Sequence, residues 1–265
     1  MPVGKEKTPA AMHSIPAGKE KTPAVIHSIP AGKKAGSSLG VAPEKTVLQP
    51  AILSSVYLST AYLPPVDYVA LWLHAGQLII EKHEYAEKQS YRNRCRIATA
   101  SGITGLSIPL ERPQGNKTLI CDVRLSDHGN WPAQHWRTIE ASYQSSPFFD
   151  YLADDLEAIY RKPGTFLWDF NERMMHFITS WMDGLPQPEY TSGFRTSVDE
   201  SPDMRNRIHP KKSDLFEEYP SYYQVFSSAN GFIPNLSILD LLMNTGNEAI
   251  LYLNNFKDRK FSVFL

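Results

Sequence analysis

The spacing of apolar and polar positions divides the chain after Val47 into a β-rich first part and a helical second part. Residues 52–62 are β-branched and aromatic, which predicts a strand. Leu63-Pro64-Pro65 turns the chain and sets proline at the start of a helix over Val66–His74, which Gly76 ends. The apolar run 77–81 predicts a second strand, and a strand-helix-strand unit of this kind favours parallel pairing. Residues 94–99 and 105–109 flank Ser101-Gly102 as a hairpin, and 118–125 predicts another strand. Apolar residues then recur at a period near 3.6 over 131–143, 147–161 and 165–182, with breaks at Pro163-Gly164 and Gly184-Leu185-Pro186. Residues 192–218 are polar and read as one long loop, a length that in compact proteins goes with function or disorder. Beyond it, 222–226 reads as a strand and 236–243 as a helix that Asn235 or Ser237 caps and Thr245-Gly246 closes. The expected fold class is α/β: a mixed sheet with a β-turn-α-β start, a β-hairpin and a mainly helical second half.

The first 45 residues break this pattern. GKEKTPAAMHSIPA at 4–17 recurs as GKEKTPAVIHSIPA at 18–31, changed only at Ala11/Val25 and Met12/Ile26. Two Pro-rich copies are too few to stack as a solenoid, so 1–45 is expected to be a disordered tail and 46–265 a single α/β domain. The tail carries seven lysines against three glutamates, a net charge of +4, while the whole chain of 265 residues carries −1. The remaining 220 residues therefore carry −5 and offer no broad attraction to nucleic acid. Lys, Pro and Gly interrupt any secretory apolar run, and Pro64-Pro65 and Asp67 break the most apolar stretch, so no membrane span is expected. Cys95 and Cys121, with no paired spacing, suit a reducing compartment, and a cytoplasmic location is expected.

Against that acidic background one cluster is cationic. If the segment around 92–96 is extended, Arg92, Arg94 and Arg96 share a face by the period of two, about 7 Å apart. Aligned guanidinium forks suit phosphate or carboxylate oxygens; the plainer alternative is a solvated edge strand whose charges deter aggregation. Asn93 and Cys95 would face the other way, Cys95 as a small buried residue. His135, between Trp131 and Trp136, is either a general acid/base in a partly apolar wall or a satisfied core histidine, and His83 is a second candidate base. Asp240 lies on a helix apolar almost all round, so it either orders a backbone turn or pairs with an arginine. No HxxxH or HExxH spacing supports a metal, and no dinucleotide, P-loop or serine-hydrolase motif names a cofactor.

The strings Leu58–Tyr68, Lys88–Ile97, Trp131–Tyr143, Ser145–Phe149 and Phe232–Leu242 resemble, in this order, the bacterial WbqC-like family, over about Val56 to Leu253. One motif departs: the aromatic usually found two residues before the lysine is here displaced to Tyr85, with Ala86 in its place. The resemblance implies a protein of surface-polysaccharide (O-antigen) gene clusters with a proposed glycine or aminoacyl transferase role. It also implies functional positions at Lys88, Arg92, Asn93, Arg94, His135, Asp203, Arg205, Gln224, Asn235 and Asp240. Two readings follow. One is a group transferase on a sugar nucleotide or phosphorylated sugar, with His135 or His83 as base and the cationic and amide groups, Arg96 included, binding substrate. The other is a non-catalytic protein that binds an anionic metabolite or a partner enzyme.

Overall fold

The computed structural model describes residues 53–87, 89–111, 118–196 and 201–256; the repeated tail and Lys88 lie outside them. The chain opens as its pattern predicts. Strand β1 (Val56–Ser59), helix α1 (Val66–His74) and strand β2 (Leu78–Glu81) form a unit in which the two strands pair parallel, Val56 opposite Leu78 through Ser59 opposite Glu81. The helical crossover brings the chain back to the same end of the sheet, which is what makes the pairing parallel. A two-residue strand from the far side of the sequence, Glu189–Tyr190, adds to β2, also parallel.

All four residues of β1 are buried, as are all of α1 except Leu73. Strands covered on both faces lose the apolar-polar alternation, and Val56-Tyr57-Leu58 shows that loss directly. The first turn of α1 has no side-chain cap of its own. Asn235 supplies one from far along the chain: its Oδ1 accepts from Asp67 N at 3.1 Å, and Leu236 O accepts from Val66 N at 3.0 Å.

Strands β3 (Arg94–Thr99) and β4 (Gly102–Ser107) form the hairpin, with Arg94 opposite Ser107 and Thr99 opposite Gly102. The second strand starts three residues earlier than its sequence pattern suggests. Gly102 takes φ 100, so it completes a two-residue turn and begins the ladder at once. The strand expected at 118–125 does not form. That segment bridges to Tyr85, Leu110 and Phe166 in turn, with a 3-10 turn at Ile120–Asp122 between, so no one partner supports a continuous ladder.

Helices α2 (Trp131–Tyr143), α3 (Phe149–Arg161) and α4 (Leu167–Trp181) follow, then the short α5 (Ser227–Asn230), α6 (Ile238–Thr245) and α7 (Ala249–Asn254). Ser237 is the residue that caps α6, its Oγ accepting from Leu239 N at 3.2 Å. At the other end Gly246 takes φ 56, and a Cβ there would collide with the Phe148 ring, so only glycine closes that helix. The strand expected at 222–226 is absent. The Gln224 side chain bonds both the N–H and the C=O of Ile233, each at 2.9 Å, and so takes the place of a backbone ladder.

The described part of the long polar segment is a loop without helix or strand, anchored to β1 by one isolated bridge. Tyr57 N donates to Pro202 O at 3.1 Å and Met204 N to Tyr57 O at 2.9 Å, a parallel bridge on the free edge of β1. Residues 201–219 then cross the carboxyl end of β1 as a strap and reach the first turn of α1, where Leu215 N donates to Asp67 Oδ2 at 2.8 Å. Among the described residues no helix is long and apolar enough to cross a membrane.

Candidate functional site

Three parallel strands and the strap end on the same side, so Ser59, Glu81, Thr191 and Arg205 are delivered to one edge by topology alone. Open α/β sheets take their ligands at the carboxyl ends of their strands. Here that edge holds a buried ionic network. Arg92 donates from Nε to Glu84 Oε1 at 2.8 Å and from Nη2 to Glu84 Oε2 at 2.5 Å, a fork on a carboxylate. Its remaining donors go to Glu87 Oε2 at 3.0 Å and Ser59 Oγ at 2.7 Å. A second fork joins Arg205 to Asp203 at 2.9 and 2.5 Å, and Arg205 Nη1 also reaches Glu81 Oε2 at 3.2 Å. The hydrogen bonds from Arg205 hold the Asp203 carboxyl below its ordinary range, and the same contact raises the guanidinium. Ser59, Thr60, Tyr68, Tyr91, Arg92 and Arg205 line a cavity of about 10 Å³ here, room for about one water.

Arg92 therefore does not belong to a row of three. Gln89 takes φ 60 and Ser90 Oγ bonds Glu87 O at 2.9 Å, and this turn sends Arg92 inward before the strand begins at Arg94. Asn93 pins the start of the hairpin, its Nδ2 donating to Ile108 O at 2.9 Å. Arg94 and Arg96 do share a face, with Cys95 buried on the other. Arg96 lies 5.9 Å over the Tyr91 ring, donates to Asn235 O at 3.0 Å and stands 3.6 Å from Asp214. Arg94 has no ion-pair partner among the described residues, and its Nε, like that of Arg96, is buried without a hydrogen bond. Opposite Arg96 stands Gly105, which leaves space beside the guanidinium.

The strap adds further groups. His209 Nε2 lies 4.0 Å from Glu87 Oε1, and its Nδ1 accepts from Lys211 N at 3.1 Å; burial lowers its pKa. Asp214 and Asp67 share Asn235 Nδ2, at 2.7 and 2.9 Å. Asp67 also accepts from Tyr219 OH at 2.5 Å, yet burial raises its carboxyl to about 6. Asn235 is thus a structural cap and clamp, which also fixes a carbonyl against Arg96.

The other expected site residues separate from this edge. His135 is 6% exposed, stacked on Tyr62 and edge-on to Trp131, with Nδ1 at 2.9 Å from Tyr62 OH. The Ser107 backbone bonds the same imidazole, and desolvation still pulls its pKa down to about 4. Its Nδ1 is hydrogen-bonded, as in a satisfied core histidine, and the imidazole is neutral at pH 7. Asp240 neither orders a turn with its carboxylate nor, among the described residues, meets an arginine: it accepts from Tyr143 OH at 2.9 Å, Tyr222 OH at 2.5 Å and Gln224 Nε2 at 2.9 Å. Burial raises its pKa. Gln224 and Asp240 thereby lock α6 to the chain before α5. His83 is half-buried at the sheet edge, its N–H held by Glu81 Oε1 at 2.8 Å. So Arg92, Asp203, Arg205 and His83 gather at the carboxyl edge, Arg94, Arg96 and Asn235 lie together on the hairpin face, and His135, Gln224 and Asp240 serve the core.

Glu81, Glu84 and Ser59 were not legible as site residues. For Ser59 and Glu81 the sequence signal is position, a polar residue closing a buried apolar strand; Glu84, three residues past β2, lacks even that. Among the described residues, no three His, Cys, Asp or Glu side chains gather as a metal site.

Comparison with known proteins adds the family. The model of the WbqC-like protein family matches residues 60–210 and 211–252. An uncharacterized protein of Mycobacterium tuberculosis is 30% identical over 221 residues, 72% of this chain and 94% of that protein. No solved structure matches. The chain belongs to the WbqC-like family.

Proposed function

We propose that this WbqC-like protein is a cytoplasmic group transferase of cell-surface polysaccharide synthesis. It moves an acyl or aminoacyl group, glycine being one candidate, onto a nucleotide-linked or phosphorylated sugar. The observation that carries the reading is Arg94: a guanidinium with a buried, unbonded Nε and, among the described residues, no carboxylate partner, two residues from Arg96 on one face. Leaving such a donor unpaired is costly unless an anion completes it. In this reading Arg94 and Arg96 hold the anionic part of the substrate. The Arg92 and Arg205 forks, already filled by Glu84 and Asp203, keep the sheet edge rigid behind it. His83, at that edge, takes the proton from the attacking amine or hydroxyl, and His135 has no part in the chemistry.

A thermal-shift screen of sugar phosphates, nucleotide sugars and aminoacyl donors tests it. Phosphorylated ligands should raise the melting temperature of the parent protein and not of Arg94→Ala. A flat response from the parent protein would remove the reading. The alternative is a protein that binds such a metabolite without transforming it; it uses the same Arg94 and Arg96 donors and needs no base. Product formation separates the two. In a transferase His83→Asn keeps binding and loses turnover, whereas in a binding protein no product forms with either histidine present.

A further inference from the structure

The chain leaving Tyr190 places Phe194 in solvent at the carboxyl edge, 52% exposed. A lone exposed apolar ring is ordinary. What stands behind this one is not. The Arg205 guanidinium lies 5.4 Å from the ring centroid, and it is itself held by Asp203, Glu81 and the Arg195 carbonyl. The next residue is pinned as well: Arg195 N donates to Glu81 Oε2 at 3.3 Å and Arg195 Nη1 to Tyr57 OH at 2.8 Å. The ring is therefore backed by a fixed cation rather than by the apolar core, and much of its ordering is complete before any ligand arrives. Arg205 also lines the cavity beside Ser59 and Arg92, so the ring belongs to the same edge where α/β sheets bind ligands.

We infer that Phe194 is the stacking platform for the base of a nucleotide ligand. This rests on the anion site proposed above, which Tyr91 joins to this edge, its ring lying under Arg96 at 5.9 Å and lining the cavity with Arg92 and Arg205, and it narrows the ligand from phosphorylated or nucleotide-linked sugars to the nucleotide-linked ones. An aromatic face takes any base, because every base presents a π-face, so discrimination between bases is weak here.

The test is calorimetric titration of the full chain at pH 7 with inorganic pyrophosphate, which has no base, and with uridine and guanosine diphosphates. The diphosphates should bind about tenfold more tightly than pyrophosphate, a difference of about 1.4 kcal/mol. Phe194→Ala should erase that advantage while pyrophosphate binding stays within about twofold, and Phe194→Tyr should keep it. Equal affinity for pyrophosphate and diphosphates in the parent protein, or an advantage that survives Phe194→Ala, overturns the inference and leaves the anion site standing. Binding of none of the three probes overturns both.

Discussion

Arg92 and His135 are about equally hidden, 4% and 6% exposed, and the molecule deals with them in opposite ways. At the sheet edge the charge is kept: Arg92 is matched by Glu84 and Glu87, and Arg205 by Asp203 and Glu81. In the aromatic wall the charge is removed: Tyr62, Trp131 and Tyr160 surround an imidazole that stays neutral down to about pH 4. Burial alone therefore says little about function. A buried charge that is retained needs several partners held in place, and such a scaffold can support a binding site, whereas a buried group that is neutralised only fills and satisfies a core.

The contrast breaks first at Glu84. Glu84→Ala takes the forked partner from the buried Arg92 guanidinium and leaves it only the half-exposed Glu87 and Ser59, and the expected loss is about 3–5 kcal/mol in urea denaturation. The double variant with Arg92→Met should recover much of it, since removing both partners leaves no unpaired charge. A single-variant loss below about 1 kcal/mol would mean that the pair is solvated and the contrast false.

Acid titration gives the next effect, of about 3 kcal/mol on each side. An unfolded histidine takes its proton near pH 6.5 and folded His135 near 4, so acidification through this window favours unfolding by about 3 kcal/mol. Asp67 works the other way. Folded Asp67 takes a proton near pH 6 and the unfolded residue near 3.8, so the same acidification favours folding by about 3 kcal/mol. The two nearly cancel in the parent protein. Denaturation at pH 7 and pH 5 should show His135→Phe gaining stability on acidification relative to the parent, and Asp67→Asn losing it. Slopes of equal sign in both variants would contradict these assignments. At pH 7 itself His135→Phe should cost only about 1 kcal/mol, the hydrogen bond to Tyr62. Arg94→Ala, which removes a buried donor left without a hydrogen bond, should raise the stability of the ligand-free protein by about 1 kcal/mol.

The strand-helix-strand opening, the hairpin and the helices were legible because each rests on local periodicity and turn residues. The strands expected at 118–125 and 222–226 failed where local composition is β-like but the partners are scattered or are side chains, as with Gln224 on Ile233. The site divides along the same line. Arg94 and Arg96 follow from a period of two. Arg92 does not, because the backbone turn at Gln89 and a glutamate eight residues upstream decide where it points. Asn235 was read as a helix cap or binding residue for its own segment, yet it caps α1 from 168 residues away, a pairing that only the tertiary fold creates.

In the proposed transferase, ligand recognition lies with Arg94 and Arg96 beside the sheet edge and not with His135. Calorimetric titration of inorganic pyrophosphate into the parent protein, Arg94→Ala and His135→Phe at pH 7 tests it most directly. Loss of a charge-assisted pair predicts that Arg94→Ala binds at least about tenfold more weakly, while His135→Phe stays within about twofold of the parent. The reverse pattern, with Arg94→Ala unchanged and His135→Phe unable to bind, would contradict the account.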